Sequence, residues 1–227
     1  ADRVGLLDWR DDKGQLIGWR SRTSGGESRR LVVFHGNAGS AVYRQYFAAG
    51  FLALGSAWQV YLFEYPGYGA RPGSPSESGI KATATQALED LLAADPSPLY
   101  VLGESLGSGV ASYLAGRFTD KVAGVLLVTP FTSLTDVAGH HYAFLPVKAL
   151  LSERFDSKEA LTHYPGPVAF LLAGTDEIVP PSLGRELDAS SQGPTWLREQ
   201  AGAGHNTLDF DPTAAWWREV PDFWNSQ

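Results

Sequence analysis

A chain of 227 residues with a formal charge of -7, 44% hydrophobic and 19% charged residues has the length and apolar content of one soluble globular domain with a well-filled core. The acidic balance, with no basic cluster beyond Arg29-Arg30, argues against a nucleic-acid surface. The absence of cysteine removes disulfides, thiolate metal ligands and a cysteine nucleophile but leaves the compartment open, and no apolar run approaches the roughly 20 residues that span a bilayer.

Taken in order, the stretches from Val4 to Trp9 and from Gln15 to Ser21 flank Asp11-Asp12-Lys13-Gly14, which predicts a hairpin. Leu31 to Phe34 is a continuous apolar run, as expected of a strand buried on both faces. It ends in His35-Gly36-Asn37-Ala38-Gly39-Ser40, and a helical pattern follows from Ala41 to Leu54. Val60 to Phe63 is the next apolar run, closed by Glu64-Tyr65-Pro66-Gly67-Tyr68-Gly69, and a Gly/Pro/Ser loop leads to a predicted helix from Ser78 to Ala94. Leu99 to Leu102 then meets Gly103-Glu104-Ser105-Leu106-Gly107, and the small-residue helical pattern of Val110, Ala111, Leu114 and Ala115 follows at once.

Val122 to Val128 predicts another buried strand. The longest connection, Thr129 to Pro167, carries predicted helical pieces over 146–151 and 157–161. Val168 to Leu172 predicts a strand ending in Gly174-Thr175-Asp176-Glu177, then a helix from Pro181 to Ser190. Thr195 to Glu199 is the last predicted strand and runs into Ala201-Gly202-Ala203-Gly204-His205-Asn206. A final helix is expected from about Pro212 to Trp224, with Asp209 and Asp211 at its start. Its Trp216, Trp217 and Trp224 read as core packing in preference to a membrane-surface or dimer face.

Buried apolar strands alternating with helices describe an α/β protein: a mostly parallel sheet covered on both faces, with an antiparallel start. Ligands in such sheets sit outside the carboxyl ends of the strands. His35-Gly36-Asn37, Glu64, Ser105, Asp176 and His205 all fall at those ends.

The strand, tight turn and helix around Ser105 expose one hydroxyl at a helix N-terminus, where the dipole favours developing negative charge. Such a hydroxyl is a poor nucleophile until an imidazole takes its proton, and the imidazole needs a carboxylate to fix its tautomer. Among five histidines, His205 lies in a glycine-rich loop after the last strand, while His35 more naturally shapes its own turn and His140, His141 and His163 fall in the long connection. Asp176, immediately past a buried strand, is the candidate carboxylate. Two donors for an oxyanion are expected from the N–H of Leu106, after the serine, and from the first glycine-rich loop, where Asn37 is the best placed and Ala38 the second choice.

Together, Phe34-His35-Gly36-Asn37-Ala38-Gly39, Glu64-Tyr65-Pro66-Gly67-Tyr68-Gly69, Gly103-Glu104-Ser105-Leu106-Gly107, Gly174-Thr175-Asp176-Glu177 and Gly204-His205-Asn206 resemble one α/β-hydrolase subgroup. That subgroup includes lysophospholipase-like and depalmitoylating thioesterase-like enzymes, and the match covers essentially the whole chain. The resemblance implies an α/β-hydrolase fold in one domain, 1–227, with a short cap-like insertion at about 131–167. It implies a triad of Ser105, Asp176 and His205 with Asn37 and Leu106 at the oxyanion hole. One departure is that many relatives have Asp and Arg where Glu64 and Pro66 stand.

The expected activity is hydrolysis of a small-molecule carboxylic ester or thioester, with neither metal nor organic cofactor. So small an insertion predicts a shallow acyl pocket with Tyr68, Phe131, Tyr142, Phe144 and Leu145 near its mouth. Membrane contact is not indicated, and the oligomeric state is not legible. Two alternatives stay open: a peptidase of the dipeptidyl-peptidase-like type, and a non-catalytic binding protein on the same fold.

Overall fold

The computed structural model describes residues 5–22, 29–55, 58–142 and 151–227. Eight strands form one sheet in the order β1-β2-β4-β3-β5-β6-β7-β8. β1 (Leu7–Arg10) and β2 (Leu16–Arg20) make the predicted hairpin, and β2 pairs antiparallel with β4 (Trp58–Phe63). From there the pairing is parallel throughout: β4 with β3 (Arg29–Phe34), then β5 (Leu99–Glu104), β6 (Val122–Val128), β7 (Val168–Ala173) and β8 (Thr195–Gln200).

Alternation along each strand sends side chains to opposite faces and builds two cores. Val32 and Phe34 of β3 join the face covered by α2 (Glu77–Ala94), α3 (Leu106–Arg117), α5 (Ser157–Leu161) and α6 (Pro181–Ser190). Leu31 and Val33 join the other, covered by α1 (Gln45–Ala53) and α7 (Trp216–Asn225). Trp216, Trp217 and Trp224 are all buried there, which gives them packing roles.

Local chemistry sets the element boundaries. Ser76 caps α2 by accepting from the Gly79 N–H at 3.1 Å, one of the orphan donors of the first turn. α4 (Leu134–His141) begins the same way: Ser133 accepts from Asp136 N–H at 3.1 Å. Sequence reading missed this helix because Thr132-Ser133 resembles loop, whereas here it is a cap. The expected helix from Ala41 opens as a 3-10 turn (Ala41–Arg44) before α1. The last helix starts later than expected, at Trp216. Asp209 and Asp211 do not begin it: Asp211 N–H bonds Asp209 Oδ1 and Thr213 N–H bonds Asp211 Oδ1, each at 2.8 Å, so both carboxylates close turns instead. The helical piece predicted over 146–151 lies outside the described residues but for Leu151, which is not helical.

Candidate active site

The carboxyl ends of β3, β5, β7 and β8 bring four loops together. β5 runs straight into α3 through Ser105, whose φ of 51° and ψ of -117° form a conformation that a residue with a side chain rarely adopts. The turn is held by Ser105 N–H donating to Val128 O at 2.9 Å and by Ser108, whose N–H and hydroxyl both reach Ser105 O at 2.8 and 2.6 Å. Its glycines answer to close packing. A Cβ on Gly107 would stand 2.0 Å from Phe34 O, so the start of α3 presses on the end of β3. A Cβ on Gly36 would make only ordinary contact, 3.4 Å from the Ser105 Cβ, so the β3 loop passes next to the serine.

His205 reaches the serine from the β8 loop: its Nε2 is 3.1 Å from Ser105 Oγ. Its Nδ1 is 2.7 Å from Asp176 Oδ2. A carboxylate only accepts, so Nδ1 carries the proton and Nε2 presents its lone pair to the hydroxyl. The other oxygen of Asp176 accepts from the N–H groups of Ile178 and Val179 at 2.9 and 2.8 Å, which orients the carboxylate. The two loops are tied by Thr175, whose N–H and hydroxyl both donate to Ala203 O at 2.9 and 3.0 Å. Ser105, Asp176 and His205, far apart in the chain, thus stand in one hydrogen-bonded line.

As the first residue of α3, Leu106 has an N–H that helix geometry leaves without a partner. Among the described residues no acceptor is found for it or for the N–H of Asn37. The Asn37 side-chain oxygen accepts from Tyr68 Oη at 2.6 Å. A cavity of about 240 Å³ opens beside Asn37 and Leu106, walled by Tyr68, Pro75, Ile80, Leu134 and Phe155. Ser76, Glu77 and Glu153 complete its lining. A larger hollow, about 480 Å³, lies at the opposite end of the sheet around Pro98 and Val122, remote from the serine.

The remaining sequence-predicted residues are distributed as follows. Tyr68 lines the cavity. Phe131 does not stand at the mouth: it is 1% exposed and packs in the core beside Gly109, because the chain leaving β6 turns inward before α4. Tyr142, at the end of α4, is 60% exposed and is not part of the cavity wall. Phe144 and Leu145 lie outside the described residues. His35 is fully buried, with Nδ1 2.7 Å from Gly36 O and Nε2 2.9 Å from Glu64 Oε1, and it stacks on Tyr65. Glu64 accepts from Ser40 Oγ and Ala41 N–H, which ties the end of β4 to the β3 loop.

Sequence reading passed over Glu104, Arg44 and Tyr46. Glu104 accepts from Arg44 Nε at 2.7 Å, from Tyr46 Oη at 2.9 Å and from Gly36 N–H at 3.2 Å. A lone charge at the end of an apolar strand was the available signal, but its partners lie about 60 positions away in the chain and only the sheet order brings them near. Among the described residues no group of three or more His, Cys, Asp or Glu is arranged to hold a metal ion, and no helix is long and apolar enough to cross a membrane.

This geometry sits in a chain with recognisable relatives. An uncharacterized protein of Mycobacterium tuberculosis is 39% identical over 199 residues, covering 86% of this chain and 69% of that one. The lysophosphatidylserine lipase ABHD12 of Danio rerio is 32% identical over 200 residues, 79% of this chain but only 51% of the relative. Among solved structures, Est1E from Butyrivibrio proteoclasticus superposes with a TM-score of 0.78 at 13% identity, covering 98% of this chain and 99% of that one, a likeness of fold. The family profile described as alpha/beta hydrolase fold matches residues 29–158, more than half of the sequence. The chain belongs to the α/β-hydrolase fold family.

Proposed function

We propose that the protein is a serine hydrolase that cleaves carboxylic esters or thioesters through an acyl-enzyme. The observation that carries this reading is the line of hydrogen bonds from Asp176 through His205 to Ser105. In the first step Ser105 Oγ attacks the carbonyl carbon while its proton passes to His205 Nε2. Asp176 keeps the ring in the required tautomer and stabilises the imidazolium that forms. The imidazolium then protonates the departing alcohol or thiol, leaving the acyl group on Ser105. Water, deprotonated by the same imidazole, attacks the acyl-enzyme; the bond to Ser105 Oγ breaks, the imidazolium returns its proton to that oxygen, and the acid leaves.

The N–H groups of Leu106 and Asn37 are assigned to the oxyanion, a contribution worth about 100- to 1000-fold in rate for a single donor. The acyl group is assigned to the 240 Å³ cavity beside them. An apolar cavity of about 150 Å³ holds benzene, and pockets for drug-sized ligands begin near 300 Å³. Short to medium acyl groups match that volume. We read the chain as one hydrolase domain in which the segment between β6 and β7 serves as a small cap.

The name of the Danio rerio relative, a lysophosphatidylserine lipase, supports ester hydrolysis as the reaction. A fluorophosphonate probe tests the reading: the native protein becomes labelled at Ser105, Ser105→Ala does not, and labelling that survives this substitution contradicts it.

A further inference from the structure

Glu104 occupies the second position of Gly103-Glu104-Ser105-Leu106-Gly107, immediately before the proposed nucleophile. Its side chain is only 15% exposed and points toward the β3 loop, where three donors converge on it. We propose that Glu104 and Arg44 form a charge-balanced clamp that sets the spacing between the two oxyanion donors. This assignment rests on the serine-hydrolase reading above and adds positioning residues to it.

The connectivity carries the argument. Glu104 precedes Leu106 by two residues, and Gly36 precedes Asn37 by one. The bond from Gly36 N–H to Glu104 Oε2, 3.2 Å, therefore ties the two halves of the oxyanion hole close to both donors. Arg44 adds a second tie. Its Nε donates to the same oxygen at 2.7 Å and its Nη1 to Ala38 O at 2.9 Å, so the loop is gripped on each side of Asn37. Tyr46 Oη secures the remaining carboxylate oxygen at 2.9 Å. A methyl group on Gly36 would lie 3.4 Å from Arg44 Nη2 and 3.4 Å from Ser105 Cβ, ordinary contact distances that place clamp, loop and serine side by side.

The charges explain why both partners are needed. A carboxylate beside a site of developing negative charge opposes the reaction unless a cation cancels it. Arg44 is that cation. Burial works to lower its pKa, but the charge and hydrogen bond of Glu104 outweigh this and hold it above the usual guanidinium value. Burial and the Glu104 charge push the Tyr46 hydroxyl well above the usual phenol range, so it stays a donor. Removing Arg44 alone leaves an uncompensated carboxylate, and this is more harmful than removing both charges.

The experiment compares Arg44→Met, Tyr46→Phe and the double variant Arg44→Met/Glu104→Gln, with Ser105→Ala as control. For each, kcat and KM are measured on a p-nitrophenyl ester, and Ki on a trifluoromethyl ketone whose adduct carries an oxyanion. Arg44→Met is expected to lower kcat by about 10- to 100-fold with KM within about threefold, and to weaken Ki in parallel. The double variant recovers at least half of that loss on a logarithmic scale. Tyr46→Phe, which keeps the ring packed on Phe47 and Phe210, gives a loss of about threefold with the same parallel movement.

A folded Arg44→Met with kcat and Ki within twofold of the parent overturns the clamp. So does a double variant no better than the single one. Should Arg44→Met not fold, Tyr46→Phe decides: a Ki that does not move with kcat sinks the proposal. Turnover surviving in Ser105→Ala would instead remove the hydrolase reading beneath it.

Discussion

Asp176 holds His205 with one carboxylate oxygen, Oδ2 at 2.7 Å from Nδ1, while its other oxygen is held by the main-chain N–H groups of Ile178 and Val179. The division of labour separates positioning from stability. In Asp176→Asn the amide oxygen still accepts the two main-chain bonds if its NH₂ faces the histidine, but that NH₂ then forces the imidazole into the wrong tautomer. The expected result is a fall in kcat on the order of 10⁴-fold with little change in thermal midpoint. A loss below tenfold in steady-state assays would show that Asp176 is not the orienting carboxylate.

Ser105 is strained where it stands, with φ at 51°. Such conformations cost about 1–3 kcal/mol for a residue with a side chain, and glycine escapes that cost while losing about 0.4–1 kcal/mol through its freer unfolded chain. Ser105→Gly should therefore abolish hydrolysis and raise the unfolding free energy by about 1 kcal/mol in urea titration. A clear loss of stability would mean that the turn is not strained.

The cavity beside Leu106 gives a chain-length prediction. Each methylene that enters it contributes about 0.8 kcal/mol, roughly a fourfold gain in kcat/KM. Across a p-nitrophenyl ester series the gain is expected to stop at short to medium chains. Leu134→Ala removes part of one wall and should move the turning point to longer chains. A rise continuing through long chains, or a turning point unmoved in Leu134→Ala, would put the acyl group elsewhere.

Glu77 joins the start of α2 to the chain at 153–155 along the same cavity. Burial alone would raise its carboxyl, but Lys81 and the N–H groups of Arg154 and Phe155 outweigh it and hold the pKa below the ordinary 4.5. A depressed native value means the ionised form stabilises the fold. That contribution is present above the unfolded value and is lost as pH falls through the native one. The thermal midpoint of the parent should exceed that of Glu77→Gln by its full margin above about pH 5, and the margin should shrink toward pH 3. A margin constant across that range would contradict the assignment.

Much of this was legible in the sequence, for definite reasons. Strands such as Val122–Val128 and helices such as Pro181–Ser190 stand in the structure at the limits read from their apolar runs and flanking breakers, because both are dictated by local chemistry. That Ser105, Asp176 and His205 would meet was readable because a parallel sheet delivers the carboxyl ends of its strands to one side. What was not readable depends on which strands are neighbours. Glu104 finds Arg44 only because β5 lies beside β3, and Phe131 is buried because the chain leaving β6 turns inward before α4. The start of the last helix was misjudged because Asp209 and Asp211 serve turns as readily as caps.

The most direct measurement is intact-mass analysis of protein quenched during turnover of a p-nitrophenyl ester, with the adduct mapped by peptide sequencing. The account predicts a mass increase of one acyl group on Ser105, absent from Ser105→Ala, which also loses turnover. Hydrolysis that continues in Ser105→Ala, or an adduct mapped to another residue, would contradict it.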